Sequence, residues 1–141
     1  MASLAYDSYL PDVFAGNIQA ADTYYVMLTT DTYEEDRAAH NRRDDVTNEV
    51  VGTGYTAGGQ AVVPTFTNDT TNHRLTIVFP TVTWPSSTIT ARKAVYYKRR
   101  GGAASADELV AVNDFGASDV VTSATTFTLN ASTMHINAPA A

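Results

Sequence analysis

The chain has 141 residues, a formal net charge of −6 and no cysteine. A chain of this length buries roughly 70% of its unfolded surface, enough for one core, and the missing thiols exclude a disulfide framework or a thiolate metal site. The acid excess argues against coating nucleic acid, where Lys and Arg supply most of the affinity by neutralising phosphate.

The opening MASLAYDSYLPD lacks a basic segment and an apolar run, so no signal peptide is expected. No stretch approaches the ~20 apolar residues of a spanning helix, so no membrane partner is expected and the protein reads as soluble. Threonine, valine and tyrosine are abundant and strong helix formers few, which suits a pleated surface. These features predict one β-rich domain over residues 1–141.

SYLPDVFAGNI predicts a short N-terminal helical turn. Ser8 can cap it, Pro11 and Asp12 suit its first turn and Gly16 its left-handed stop, with Leu10, Val13 and Phe14 as the buried side. Residues 22–30 alternate as a first strand, with Tyr24, Val26 and Leu28 on one face and Tyr25 and Met27 on the other. Both faces are rather apolar, which implies an inner strand or a face that meets a partner subunit. Residues 31–50 are the only charge-dense stretch. Thr32 with Glu35 fits a capping box, and a second start is possible at Asp44, so two short helical pieces with a mostly solvated face are expected at about residues 32–50.

From residue 60 onward strands dominate. QAVVPTFTN and NHRLTIVFPTVTW flank the turn composition Asn68-Asp69-Thr70-Thr71-Asn72, with Leu75, Ile77 and Phe79 on one face. STITARKAVYYKRR places Ile89, Val95 and Tyr97 together and leads into RRGGAASAD, a small-residue loop. DELVAVNDFG carries Leu109 and Phe115, and VVTSATTFTLN carries Phe127 and Leu129. Six or seven strands without β-α alternation predict a mainly β fold, an antiparallel β-sandwich or partly open barrel. The flanks 1–8 and 131–141 are small and polar enough to serve as extended arms.

NEVVGTGYTAGG, residues 48–59, holds four of the eight glycines. A Walker loop needs GxxxxGK[ST], and a dinucleotide fingerprint needs GxGxxG after a strand and opening a helix. Here no lysine follows and a strand comes next, so a phosphate cradle is disfavoured. The structural alternative makes Gly52 the stop of a helix ending near Val51, Gly54 part of a loop anchored by Tyr55, and Gly58-Gly59 a turn into the next strand.

No other constellation supports catalysis. His40, His73 and His135 are far apart and show no metal-ligand spacing. Glu34-Glu35-Asp36 and Asp44-Asp45 lack a calcium-loop pattern, and interleaved Arg37, Arg42 and Arg43 favour surface ion pairs worth under ~1 kcal/mol. No GxSxG elbow occurs. The sequons at Asn68 and Asn130 read as chance matches. No cofactor and no catalytic residue is expected. The basic cluster Lys98-Arg99-Arg100 could contact phosphate with Tyr96 and Tyr97 stacking, but a solvated strand end or a dock for an acidic neighbour is favoured; with Tyr24 and Tyr25 of the first strand it makes the candidate protein–protein interface.

The block AHNRRDDVTNEVVGTGYTAGGQAV, residues 39–62, resembles a block of small virion proteins of tailed bacteriophages, whose pattern runs DVTNEV, then GTGYTAGG, then a strand. VTWPSSTITARKAVYYK (82–98) and the DFG of 114–116 are similar to the same proteins, and the likeness extends from about Tyr9 to Leu129. The resemblance implies a structural, non-enzymatic part of the particle, best matched by a head decoration or cement protein. Such a protein would bind the major capsid protein on the head exterior, commonly as a homotrimer, after synthesis in the bacterial cytoplasm. A tail, neck or baseplate part is the alternative, and a receptor- or carbohydrate-binding module the alternative from another class.

Overall fold

A computed structural model of the protein describes residues 3–138; the outer ends of the two expected arms, 1–2 and 139–141, lie outside the described residues. The chain runs β1 (Leu4–Ala5), α1 (Tyr9–Phe14), β2 (Tyr24–Thr29), β3 (Gln60–Val62), β4 (Thr65–Asp69), β5 (Arg74–Phe79), β6 (Val82–Ser87), β7 (Thr90–Ala91), β8 (Lys93–Lys98), β9 (Leu109–Asp114), β10 (Val120–Val121), β11 (Thr125–Leu129) and β12 (Ser132–Asn137). A five-stranded antiparallel sheet has the order β1-β9-β8-β2-β3. Three smaller antiparallel sheets, β12-β5-β4, β11-β6 and β10-β7, complete a mainly β fold whose sheets are not closed.

The alternation of β2 sorts its side chains as its sequence predicts. Tyr24, Val26 and Leu28 join the larger core with Ala94 and Tyr96 of β8, where they meet Ile77 and Phe79 of β5, Trp84 of β6, and Phe127 and Leu129 of β11. Phe79 stacks on Tyr96 with centroids 4.2 Å apart, and Trp84 meets Phe127 edge-on at 5.8 Å, so aromatic packing joins the sheets. On the opposite face Met27, Val95, Tyr97, Leu109 and Val112 form a second cluster with Tyr6 and Tyr33. All six residues of β8 are buried, as befits a strand covered on both faces.

That second cover is the charge-dense segment after β2. It carries one 3-10 turn, Arg43–Asp45, in place of the two expected helical pieces; residues 31–41 form no helix or strand. The thin apolar stripe explains this: only Tyr33 and Val46 of residues 31–46 reach the second cluster, too few to bury a helical face. Its charges are a solvated face only in part: Asp31, Glu34, Asp36, Arg37 and Asp44 are exposed, Arg42, Arg43 and Asp45 half-buried and Glu35 buried. Arg37, Arg42 and Arg43 pair with Asp7, Asp12 and Asp107 from distant parts of the chain, and Lys93 pairs with Glu35.

Other expectations change through tertiary contacts. Helix α1 buries Tyr9 and Asp12, while Leu10 and Phe14 are exposed, because Asp12 turns inward to accept from Arg42 and Asn17. Gly16 does take the left-handed conformation that ends the helix, at φ +81°. Ile89 falls in the larger core and Val95 and Tyr97 in the second, since β7 and β8 are separate strands. Leu109 and Phe115 likewise separate. Tyr96 pairs with Ala111 but Tyr97 pairs with Leu109, so Val110 is a bulge that breaks the alternation. Within the expected arms, β1 pairs with β9 and β12 pairs with β5 over six residues, so both segments are docked.

Candidate functional site

Residues 48–59 bind backbone to backbone. Residues 46–51 form no helix, and Gly52 lacks the left-handed conformation of a helix stop. A Cβ there would lie 2.2 Å from the Thr88 carbonyl oxygen, so this glycine permits close approach of two chains. A Cβ on Gly54, at φ +80°, would come within 2.9 Å of the Ser87 Cα, and the Thr53 carbonyl accepts from the Thr88 amide at 2.9 Å. Gly59, at φ +78°, lies against β2, where a Cβ would sit 1.8 Å from the Val26 carbonyl oxygen. The segment therefore clamps the β6–β7 connection to the five-stranded sheet.

Tyr55 anchors this clamp. Its hydroxyl donates to Glu49 Oε1 at 2.7 Å and accepts from the Leu28 amide at 2.9 Å. Its ring lies 6.0 Å from that of Trp84. Glu49 Oε1 also accepts from the Gly58 amide, and the Gly58 carbonyl accepts from the Tyr97 hydroxyl at 2.6 Å. Burial pushes the Tyr55 phenol above its ordinary range. The Tyr55 hydroxyl, Glu49 Oε1 and the Gly58 amide and carbonyl thus spend their hydrogen bonds on this chain, and the Tyr55 and Gly59 amides donate to the Gly52 and Thr56 carbonyls.

The five residues of the candidate interface separate. Tyr24 is buried, its hydroxyl donating to the Gln19 carbonyl. Lys98 pairs with Asp22 at 2.9 Å and donates to the Asn17 carbonyl, and Arg100 forks onto Glu108. Tyr25 and Arg99 remain at the surface, with the Arg99 guanidinium carbon 4.4 Å from the Tyr25 ring centroid. Sequence spacing shows a run of three cations but not which acids the fold brings to them.

A cleft of about 310 Å³ opens at the seam between β1, β9 and β12, lined by Phe79, Tyr96, Met134, Ser3, Asn113 and Ser132 among others. Its polar groups serve one another: Asn113 Nδ2 donates to Ser132 Oγ at 2.7 Å, Ser3 Oγ donates to Asn113 Oδ1 at 3.1 Å, and the Tyr96 hydroxyl lies 3.0 Å from Ser132 Oγ. Among the described residues its lining holds one titratable group, the Tyr96 phenol, which is pushed up by burial. No local sequence pattern marks the cleft, because its walls come from both ends and the middle of the chain.

Among the described residues no group of three or more His, Asp or Glu could hold a metal ion. His40 accepts at Nδ1 from the Asp36 amide at 3.2 Å and lies 3.0 Å from the Tyr33 hydroxyl, while His135 meets Thr76 across β12 and β5. No helix among these residues is long and apolar enough to cross a membrane. Compared with protein-family models, with curated proteins and with solved structures, the chain matches none.

Proposed function

We propose that the chain is a non-enzymatic structural protein of a tailed-bacteriophage virion, a decoration protein that docks on the outside of the head and reinforces the shell. The observation that carries this reading is the resemblance of residues 39–62, including the clamp from Gly52 to Gly59, to a block of small phage virion proteins. The fold gives that block a mechanical meaning: its glycines join the five-stranded sheet to the β6–β7 connection through backbone contact. The acidic surface supports the same reading, since an excess of carboxylates disfavours contact with packaged DNA and suits the exterior of a filled shell. The partners proposed are the major capsid protein and further copies of this chain.

Cryo-electron microscopy of purified virions, with quantitative mass spectrometry of their proteins, tests this. Density for the chain across the head in hundreds of copies is the expected result. Copies confined to the tail, neck or baseplate would replace the decoration role with a structural one elsewhere. Binding of isolated protein to glycans, with none in virions, would favour a carbohydrate-binding module.

A further inference from the structure

Of the nine Lys and Arg residues, eight lie within ion-pair distance of a carboxylate on the same chain. Arg99 is the exception among the described residues. It is exposed, and its guanidinium is held over the Tyr25 ring. Tyr25 in turn lies 6.1 Å from Tyr97, and the Arg43 guanidinium covers Tyr97 at 5.3 Å. The arrangement is a layered stack that fixes Arg99 before any partner arrives. Ordering a long side chain in advance lowers the entropy cost of binding, and Tyr and Arg are the residue types that most often dominate interfaces.

The apolar part of the same patch lies on β3, an edge of the five-stranded sheet. Ala61 pairs with Tyr25, shares its face and is exposed, and Val63 two residues on is 79% exposed. An open sheet edge beside an exposed valine and an unpaired cation calls for cover. The chain itself carries the complementary chemistry. Asp31 and Glu34 are exposed, have no cation partner among the described residues and follow the far end of β2 from Tyr25.

We propose that the Tyr25–Arg99–Val63 patch is a self-association surface that takes the Asp31 and Glu34 carboxylates of a second copy. Because donor and acceptor patches differ and sit at opposite ends of one strand, copies join head to tail. Such a heterologous contact builds a ring where the rotation closes. The proposal deepens the reading of the chain as an assembly part by naming the contact between copies. It is measured on the isolated chain, apart from any question of where the protein sits on a particle.

Sedimentation velocity of the full chain over a concentration series tests it. Wild type is expected to associate, less tightly as salt rises. R99E and the double variant D31R/E34R are each expected to weaken association about tenfold or more. An equimolar mixture of the two is expected to reassemble, since one supplies an intact cation patch and the other intact acids. Circular dichroism melts matching wild type show that the variants fold, and R99Q serves if R99E does not. A monomeric wild type, an R99E that associates normally, or a mixture that stays dispersed would each overturn the proposal: the first denies self-association, the second takes Arg99 out of the contact, and the third unpairs Arg99 from Asp31 and Glu34.

Discussion

The two faces of the five-stranded sheet are covered in opposite ways. One meets other sheets, whose backbone groups are paired within their own ladders, so its contacts are almost wholly apolar and aromatic. The other meets an irregular segment, whose backbone amides and carbonyls find no ladder and must be paired one at a time. Charged side chains do this. Asp36 Oδ1 accepts from the Ala38 and Ala39 amides, Asp45 Oδ2 from the Asn41 and Arg42 amides, and Lys93 donates to the Tyr33 carbonyl. The charge of residues 31–46 thus orders the irregular cover, while backbone bonds from the Leu109 amide to the Asn41 carbonyl and from the Arg43 amide to the Asp107 carbonyl, together with Lys93, tie it to the chain beneath.

Breaking the joint beneath both covers has the largest expected effect. Gly59→Ala drives a methyl group into the Val26 carbonyl while holding a left-handed backbone, so β3 must separate from β2. A loss above about 4 kcal/mol is expected in urea unfolding. Gly58→Ala at φ +90° meets only the Tyr97 hydroxyl, at 3.4 Å, so it should cost about 1–2 kcal/mol from backbone strain alone. Equal losses at the two positions would mean that close approach to β2 does not matter.

Next comes the ionic core of the irregular cover. Lys93 and Glu35 are paired with side chains 6% and 0% exposed, and Glu35 Oε1 has no hydrogen-bond partner. Lys93→Met strands a buried carboxylate and should cost about 3–5 kcal/mol, whereas K93M/E35L should recover most of it. Failure of the double variant to recover would show that the ion pair, and not merely its neutrality, holds the cover in place.

A smaller change acts on both faces at once. Burial raises the phenols of Tyr9, Tyr24 and Tyr96 in the larger core, and of Tyr6, Tyr33 and Tyr97 in the second, with Tyr33 and Tyr97 pushed up to about 12. A phenol whose folded pKa exceeds its unfolded value of about 10 stabilises the fold fully below that pH. The stability is lost as pH rises from about 10 through the folded value. The urea midpoint should fall steeply over that interval, with amides behind both faces losing hydrogen-exchange protection together. Loss restricted to one face would mean that the two clusters do not share one cooperative unit.

How much of this the sequence discloses depends on whether a feature is periodic. The strand at 24–29 sorts its two faces by alternation alone, and the Gly16 stop follows from local chemistry, as does the turn expected at 68–72, which falls at 70–73 with Asn68 and Asp69 still paired in β4. The cover over residues 31–46 is not periodic. Its partners, Asp7, Asp12, Lys93 and Asp107, lie up to 64 positions away, so its ion pairs and the burial of Glu35 stay hidden until the fold makes them. The same holds for Lys98 and Arg100, whose acids arrive from other loops. The glycine clamp is a middle case. Its order excludes a phosphate loop and Tyr55 is its anchor, but Gly52 needs its small size for a contact with Thr88, 36 residues on, that no local pattern encodes.

Acid gives the finest separation of the two faces. Asp45 is lowered from the ordinary carboxylate value, chiefly because it accepts from the Asn41 amide and also from that of Arg42; Asp36 is lowered in the same way by the Ala39 and Ala38 amides. A depressed folded pKa means stability that is present above the unfolded value of about 4 and lost as pH falls through the folded one. Both groups sit in the irregular cover, Asp36 exposed and Asp45 half-buried, and both cap amides of their own segment, so global stability should change little there. The Asn41, Arg42, Ala38 and Ala39 amide protons should instead titrate by NMR with midpoints below 4, while the paired amides of β2 and β8 hold still. Asp69 is lowered too, first by Asn72, and marks the same event in the β4–β5 turn. If the β2 and β8 amides moved at the same pH as Asn41, the cover and the sheet would open as one, and the carboxylate caps would be holding the core and not only its lid.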